Sequence, residues 1–169
     1  KQDLRIRKIW KSITFIKHSF TNYKIVDFDH KLQPKPIYIW YQIKGFFLKY
    51  LFYLTEFKLK KDIFKNRFFI VILQVANDSQ ILKGSDIKNN YNFINMVVKN
   101  FSDSQLENTK LVFKHHPRDR GYNNYSNYIK KISKKFGIAR DVFYIHDYPL
   151  SKIFRDPNCK GTVLINSTV

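Results

Sequence analysis

A chain of 169 residues has room for one domain with a real core, or for parts of two. With 44% hydrophobic and 26% charged residues it is globular and not disordered. A single cysteine, Cys159, excludes an internal disulfide framework and argues against a zinc cluster, and 5 Gly and 5 Pro exclude a collagen-like or linker-rich architecture. The net charge of +18, more than half of it in the first 68 residues, suits an anionic partner of any kind: nucleic acid, acidic lipid headgroups or sugar nucleotides. The same surplus, most of it lysine, equally describes a solvated surface.

Helical spacing of Ile6, Ile9, Trp10, Ile13, Ile16 and Phe20 predicts a basic amphipathic helix over residues 4–20. Residues 21–36 are polar, end in Pro34 and Pro36, and read as a loop. A second amphipathic helix is expected over 37–57, with Trp40, Ile43, Phe47, Leu51 and Leu54 in one stripe. Gln42, Lys44 and Lys49 interrupt it too often for a membrane span. Such a stripe either packs on its own protein or rests on anionic lipid.

From residue 66 the pattern changes. Apolar runs at 67–74, 111–114, 142–145 and 162–165 predict four strands. Between them lie helical patterns at 87–101, at 124–136 (stopped by Gly137) and at about 149–155. The alternation predicts an α/β fold, a Rossmann-like parallel sheet with helices on both faces, preceded by a helical region. The expected division is a basic helical connecting region over 1–66 and a Rossmann-like domain over 67–169. The chain starts without Met, and its last apolar run leads into Ser167-Thr168, where a helix is expected to begin. It therefore reads as a piece of a longer protein, and its lack of a signal peptide carries no information.

In such sheets ligands bind beyond the carboxyl ends of the strands. Four polar segments fall there: Gln74 to Asp78, His115 to Gly121, His146-Asp147 and Asn166 to Thr168. The second places Lys114, His115, His116, Arg118 and Arg120 within seven residues, with Pro117 fixing the backbone and Gly121 permitting a tight turn. A phosphate oxyanion suits these donors; a solvated basic loop, with Asp119 paired to a neighbouring Arg, is the plain alternative. Adjacent His115 and His116 argue against a metal site, because neighbours on a strand point to opposite faces. Asn166, Ser167 and Thr168 read either as an anion site at a helix N-terminus or as an ordinary N-cap. Cys159 reads as structural, and His18 and His30 lie outside the constellation.

Lys114-His-His-Pro-Arg-Asp-Arg-Gly121, Tyr144-Ile-His-Asp147 and Gly161-Thr-Val-Leu-Ile-Asn-Ser-Thr-Val169 resemble the capsular polysaccharide biosynthesis family of the KpsC/KpsS type. Leu73-Gln-Val-Ala-Asn-Asp-Ser-Gln80 looks like that family's Gln-x-x-x-Asp/Glu motif. The resemblance covers about residues 67–169, and residues 1–66 carry no matching motif. It implies a GT-B-like retaining β-Kdo glycosyltransferase that uses CMP-Kdo as donor substrate and needs no cofactor or metal. It implies a phospholipid or glycolipid acceptor, and a peripheral place on the anionic cytoplasmic face of the inner membrane. By the same resemblance, and that to bacterial sialyltransferases, His116 contacts the CMP phosphate with Lys114 beside it. Asn166, Ser167 and Thr168 hold the phosphate from the helix N-terminus, and Asp147 takes the place of a ribose-binding acid. Gln74 and Asp78 are the catalytic candidates, Asp78 as nucleophile or, in the plainer reading, as a cap or turn residue.

Two other functions fit parts of the pattern. One is another GT-B nucleotide-sugar transferase, such as a sialyltransferase. The other is a basic, Tyr- and Phe-rich nucleic-acid-binding module. The aromatics fall mainly in apolar stripes and strands, where core packing accounts for them, so nucleic acid is not the expected partner.

Overall fold

The computed structural model describes residues 35–56, 59, 62–75, 87 and 89–165, which belong to one compact unit, Pro34–Val169. The helix expected over 4–20, Asp78, Asn166, Ser167 and Thr168 lie outside the described residues.

Among the described residues these elements follow in order: α1 (Lys35–Thr55), β1 (Arg67–Ile72), α2 (Asn90–Asp103), β2 (Thr109–Lys114), α3 (Ser126–Lys135), β3 (Val142–Ile145), α4 (Leu150–Phe154) and β4 (Cys159–Leu164). A 3-10 turn over Pro117–Asp119 follows β2. The four strands form one sheet in the order β3-β2-β1-β4, with every pairing parallel. β1 pairs with β2 from Arg67↔Thr109 to Ile72↔Lys114, and with β4 from Phe69↔Gly161 to Ile72↔Leu164. This is the α/β fold that the alternation predicts.

Parallel strands covered on both faces must be apolar on both. Accordingly Phe68, Ile70 and Val112 pack with Ile63, Ile145 and Ile153 in one buried cluster. Val71, Leu111 and Phe113 pack with Phe93, Ile94, Val98, Ile129 and Ile132 in the other. Each large apolar side chain fully removed from water contributes about 1.5–3 kcal/mol relative to exposure, so these two layers hold the sheet.

Local chemistry sets the helix ends. Asn89 caps α2 by accepting the Asn92 N–H at 2.9 Å. After α3, Gly137 adopts φ of +74°, and the Gly137 and Ile138 N–H groups return to Lys134 and Ser133 carbonyls. That is the left-handed stop expected of Gly137. β4 starts at Cys159, three residues before the expected start, because Lys160 and Gly161 do not look like strand residues. Gly161 lies flat against the Phe69 ring, where a Cβ would approach to 3.2 Å.

α1 begins at Lys35, so Pro36 falls in its first turn, where the missing N–H breaks no helical bond. Its stripe is exposed: Trp40, Phe47 and Leu54 are 62%, 67% and 72% accessible, and Ile43 and Leu51 are exposed too. A different face docks on the domain. The Tyr41 ring lies 4.5 Å from that of Tyr122, Gly45 backs onto Gly121, and the Phe52 ring stacks on His146 at 3.5 Å. Glu56 completes that face, 6% accessible and bonded to His146. The helix is held through ring stacking, backbone contact and a buried carboxyl group, and not through its largest aliphatic side chains.

Gly121 lies in a turn, as expected, with the Tyr122 and Asn123 N–H groups both returning to the Asp119 carbonyl, but the turn is not what requires a glycine. Its backbone is in the ordinary negative-φ region. What forbids a side chain is α1, since a Cβ on Gly121 would stand 2.2 Å from the Tyr41 carbonyl oxygen. Gly121→Ala is expected to push α1 away and lower stability by about 1–3 kcal/mol, the usual cost of overpacking. At Gly45, inside α1, an added Cβ meets nothing nearer than 3.5 Å, so Gly45→Ala should be neutral or stabilising by up to about 1 kcal/mol. Urea unfolding of the two variants checks the contrast, and equal stabilities would remove the close contact as the constraint.

Candidate functional site

β1 is paired on both sides, and the strand order reverses beside it, between β1 and β4. The crevice outside such a reversal is where ligands sit in open parallel sheets. Gln74, two residues past β1, spans this point: its side-chain amide donates to the Ile165 carbonyl beyond β4. Its own carbonyl accepts from Asn90 Nδ2 at 2.7 Å, tying the first turn of α2 to the same place. Asn90 Nδ2 also reaches the Tyr125 hydroxyl at 3.0 Å, which in turn reaches Asp119 Oδ2 at 3.3 Å.

The five donors after β2 sort by burial. Lys114 is 5% accessible, and its Nζ donates to the His146 and His115 carbonyls at 3.2 and 3.4 Å, drawing the ends of β2 and β3 together. His115 is 1% accessible, with Nδ1 2.6 Å from the Tyr144 hydroxyl. Burial, reinforced by neighbouring His146, Arg120 and His116, lowers its pKa to about 3. It is therefore neutral at physiological pH, not the cation that the sequence cluster suggests. Burial also raises the Tyr144 hydroxyl above the ordinary tyrosine range, so it stays protonated.

His116 caps the 3-10 turn, its Nδ1 accepting the Arg118 N–H at 3.2 Å, with Pro117 in the first turn. With Nδ1 accepting, neutral His116 carries its proton on Nε2 and is a hydrogen-bond donor. Arg118 follows, exposed. Arg120 turns inward and pairs with Asp147 Oδ1, both side chains largely buried. Asp119 is buried and accepts from Asn123 Nδ2 at 2.8 Å as well as from Tyr125. The strand ends thus bring Gln74, Lys114, His116 and Asp147 to one edge of the sheet. Gln74 and Lys114 are bonded into the backbone beneath it, Asp147 is paired, and His116 lies at the surface.

Among the described residues, the buried atoms there without a hydrogen-bond partner include Gln74 Oε1, Asn90 Oδ1, His115 Nε2 and Arg120 Nε. Such capacity is ordinarily met by an ordered water or a polar ligand group. Among the described residues no three His, Cys, Asp or Glu side chains gather as a metal site.

Sequence reasoning missed Glu56, Asn90, Tyr125 and Tyr144. Glu56 carried a signal, being the sole acid between Asp29 and Asp62 in an otherwise apolar and basic stretch. Its carboxyl oxygens accept the His146 N–H at 3.1 Å, and Oε1 lies 2.6 Å from His146 Nδ1. Tyr144 opens the Tyr144-Ile-His-Asp147 motif but, like Tyr125 and Asn90, sits at a spacing that looks like core, and nothing in the sequence assigns the three a role at the site.

The depressed His115 pKa has a consequence for stability. The unfolded chain binds a proton near pH 6.5, whereas the folded protein resists it down to about 3. The contribution is complete above 6.5 and drains away as pH falls toward 3. In an NMR titration of the ring nitrogens, His115 should stay neutral from pH 8 to 5. A midpoint near 6.5 would show that burial does not control it.

A model of the capsule polysaccharide biosynthesis protein family matches residues 11–169. The chain is similar to the capsule polysaccharide export protein KpsS of Escherichia coli, 33% identical over 159 residues, which is 90% of this chain and 38% of that protein. It is also similar to the capsule polysaccharide modification protein LipB of Neisseria meningitidis serogroups A and B, 35% identical over 121 residues, or 69% of this chain and 28% of each relative. The chain spans well under half the length of these relatives. No solved structure matches it. The family match extends upstream of residue 67, where the sequence motifs begin, and takes in most of the basic N-terminal region. The chain belongs to the capsule polysaccharide biosynthesis protein family.

Proposed function

We propose that this chain is part of a retaining glycosyltransferase of capsule production, which moves Kdo from CMP-Kdo to a phospholipid- or glycolipid-linked acceptor at the cytoplasmic face of the membrane. The observation that carries the reading is the turn after β2. There a capping His116, with its N–H on Nε2, and an exposed Arg118 stand at the carboxyl edge of a parallel sheet, next to the point where strand order reverses. A CMP leaving group gains negative charge on its phosphate as the sugar departs. Donors already fixed at that edge stabilise it without reorganising. Membership of the capsule family supports the reaction's setting.

Retention requires two displacements at the anomeric carbon. In this reading the Asp78 carboxylate attacks that carbon, and its bond to the CMP phosphate oxygen breaks with the electron pair going to the phosphate. An acceptor hydroxyl then attacks the same carbon, the bond to Asp78 breaks with its electron pair returning to the carboxylate, and the hydroxyl proton passes to solvent. Gln74, four residues before Asp78 in the sequence, binds across to Ile165.

Titration of the intact protein with CMP, UDP and GDP tests the donor class. CMP should bind preferentially, and His116→Ala should weaken it tenfold or more, the worth of a charge-assisted bond of about 1.5–3 kcal/mol. Unchanged affinity in a folded His116→Ala protein would remove the phosphate role. Preference for UDP or GDP would indicate another nucleotide-sugar transferase. Binding that ignores all three and collapses with salt would indicate a nucleic-acid module.

The nucleophile has its own test. Asp78→Asn keeps the side-chain size and removes the attacking charge, so the variant should fold and bind CMP but lose transfer. Turnover near that of the parent protein would exclude Asp78.

A further inference from the structure

The exposed side of α1 is not accounted for by the fold. Trp40, Ile43, Phe46, Phe47, Tyr50, Leu51, Tyr53 and Leu54 are all between 43% and 72% accessible. At 3.6 residues per turn they cover an arc of about 160° along a helix roughly 30 Å long. Scattered apolar surface residues are ordinary, but a continuous face of this size marks an interaction surface.

Charge indicates the partner. Lys44 and Lys49 are exposed and fall on the two borders of the arc, one on each side. α1 contains no acidic residue, and its neighbour Glu56 is turned inward onto His146. An apolar face rich in Trp, Tyr, Phe and Leu between two lysine edges matches the boundary of an anionic bilayer. There the rings and aliphatic groups enter the acyl region, and lysines reach back to the headgroups. α1 is not apolar enough to cross a bilayer.

We propose that the exposed face of α1 is a docking surface for an anionic lipid bilayer, on which the helix lies in the plane of the membrane. The inference extends the proposed function by naming the surface that brings the site to a lipid-linked acceptor. The opposite face of the same helix holds Gly121 and His146 at the strand ends. Docking would therefore place the candidate site about one helix diameter, some 10 Å, from the lipid surface.

The experiment uses the intact protein with vesicles of phosphatidylcholine alone or mixed with phosphatidylglycerol. Trp10 and Trp40 are the tryptophans of this chain, so Trp10→Phe leaves Trp40 as this region's reporter. Mixed vesicles should blue-shift Trp40 emission and expose it to quenchers carried on the lipid chains. Trp40→Phe should abolish that change. Co-sedimentation should fade at high salt and weaken at least tenfold in the double variant Lys44→Glu, Lys49→Glu. Phe47→Ser with Leu54→Ser should weaken it similarly. All four side chains are exposed, and CMP affinity should stay at the parent value, which separates failure here from failure of the donor reading. Sedimentation with no change in Trp40 would place the lipid contact elsewhere. Equal binding to neutral vesicles would remove the electrostatic part. A blue shift that rises with protein concentration without lipid would identify a second copy of the chain as the occupant. Any of these three outcomes overturns the proposal.

Discussion

Glu56 leaves water in order to accept both N–H groups that His146 presents, the backbone amide at 3.1 Å and the ring nitrogen at 2.6 Å. Burying a carboxyl group costs several kcal/mol unless its oxygens are met by good donors. Here they are met by a residue fixed at the end of β3, with Phe52 stacked flat on its ring. The carboxyl group cannot be satisfied unless α1 lies in one position along the strand ends. The remaining contacts of α1 go with that placement: Tyr41 on Tyr122, Gly45 against Gly121, and the Gly45 carbonyl accepting from Arg120 at 3.5 Å. Removing the His146 ring leaves the buried carboxyl group one donor short, and removing Glu56 takes an acceptor from both N–H groups of His146, so either change is costly.

The cationic segment after β2 shows how burial edits a charge count. Five donors stand within seven residues of sequence, yet they do not act together. Lys114 is drawn under the loops by two carbonyls, His115 is uncharged, and Arg120 is neutralised by Asp147. His116 and Arg118 remain toward the surface. The net charge of +18 is therefore a poor guide to the field at the site. A few fixed donors count for more there than the many lysines in open solvent, which salt screens.

Much of the fold was legible because it obeys periodicity. The strands around Ile70 and Val112 are apolar on successive residues, as burial on both faces demands. α2 and α3 bury residues at helical spacing, and Gly137 supplies the left-handed stop. The orientation of α1 was not legible, because the stripe criterion weighs side-chain size. Beside Phe52, its docked face uses Tyr41, a glycine and an acid, which a stripe of large aliphatic side chains does not reveal. The start of β4 was hidden for a similar reason: Gly161 joins the strand by lying against Phe69, a contact made from 92 residues upstream. At the site, position could be read but state could not. That His116 lies at a strand end follows from the alternation of elements. That His115 beside it is buried and neutral depends on Tyr144, Tyr125 and His146, which come from other parts of the chain.

The approach of α1 to Gly121 also bears on how this sequence can change over generations. The restriction at position 121 comes not from its own loop but from a carbonyl 80 residues earlier, at Tyr41. A side chain at 121 becomes acceptable only if the helix axis shifts, and that shift would disturb Phe52 and Glu56 on the same face. Two stretches far apart in the sequence are thus obliged to drift together or not at all. Within this family, the trace of that obligation should be joint change at 41–45 and 121, in lineages where the glycine has been replaced.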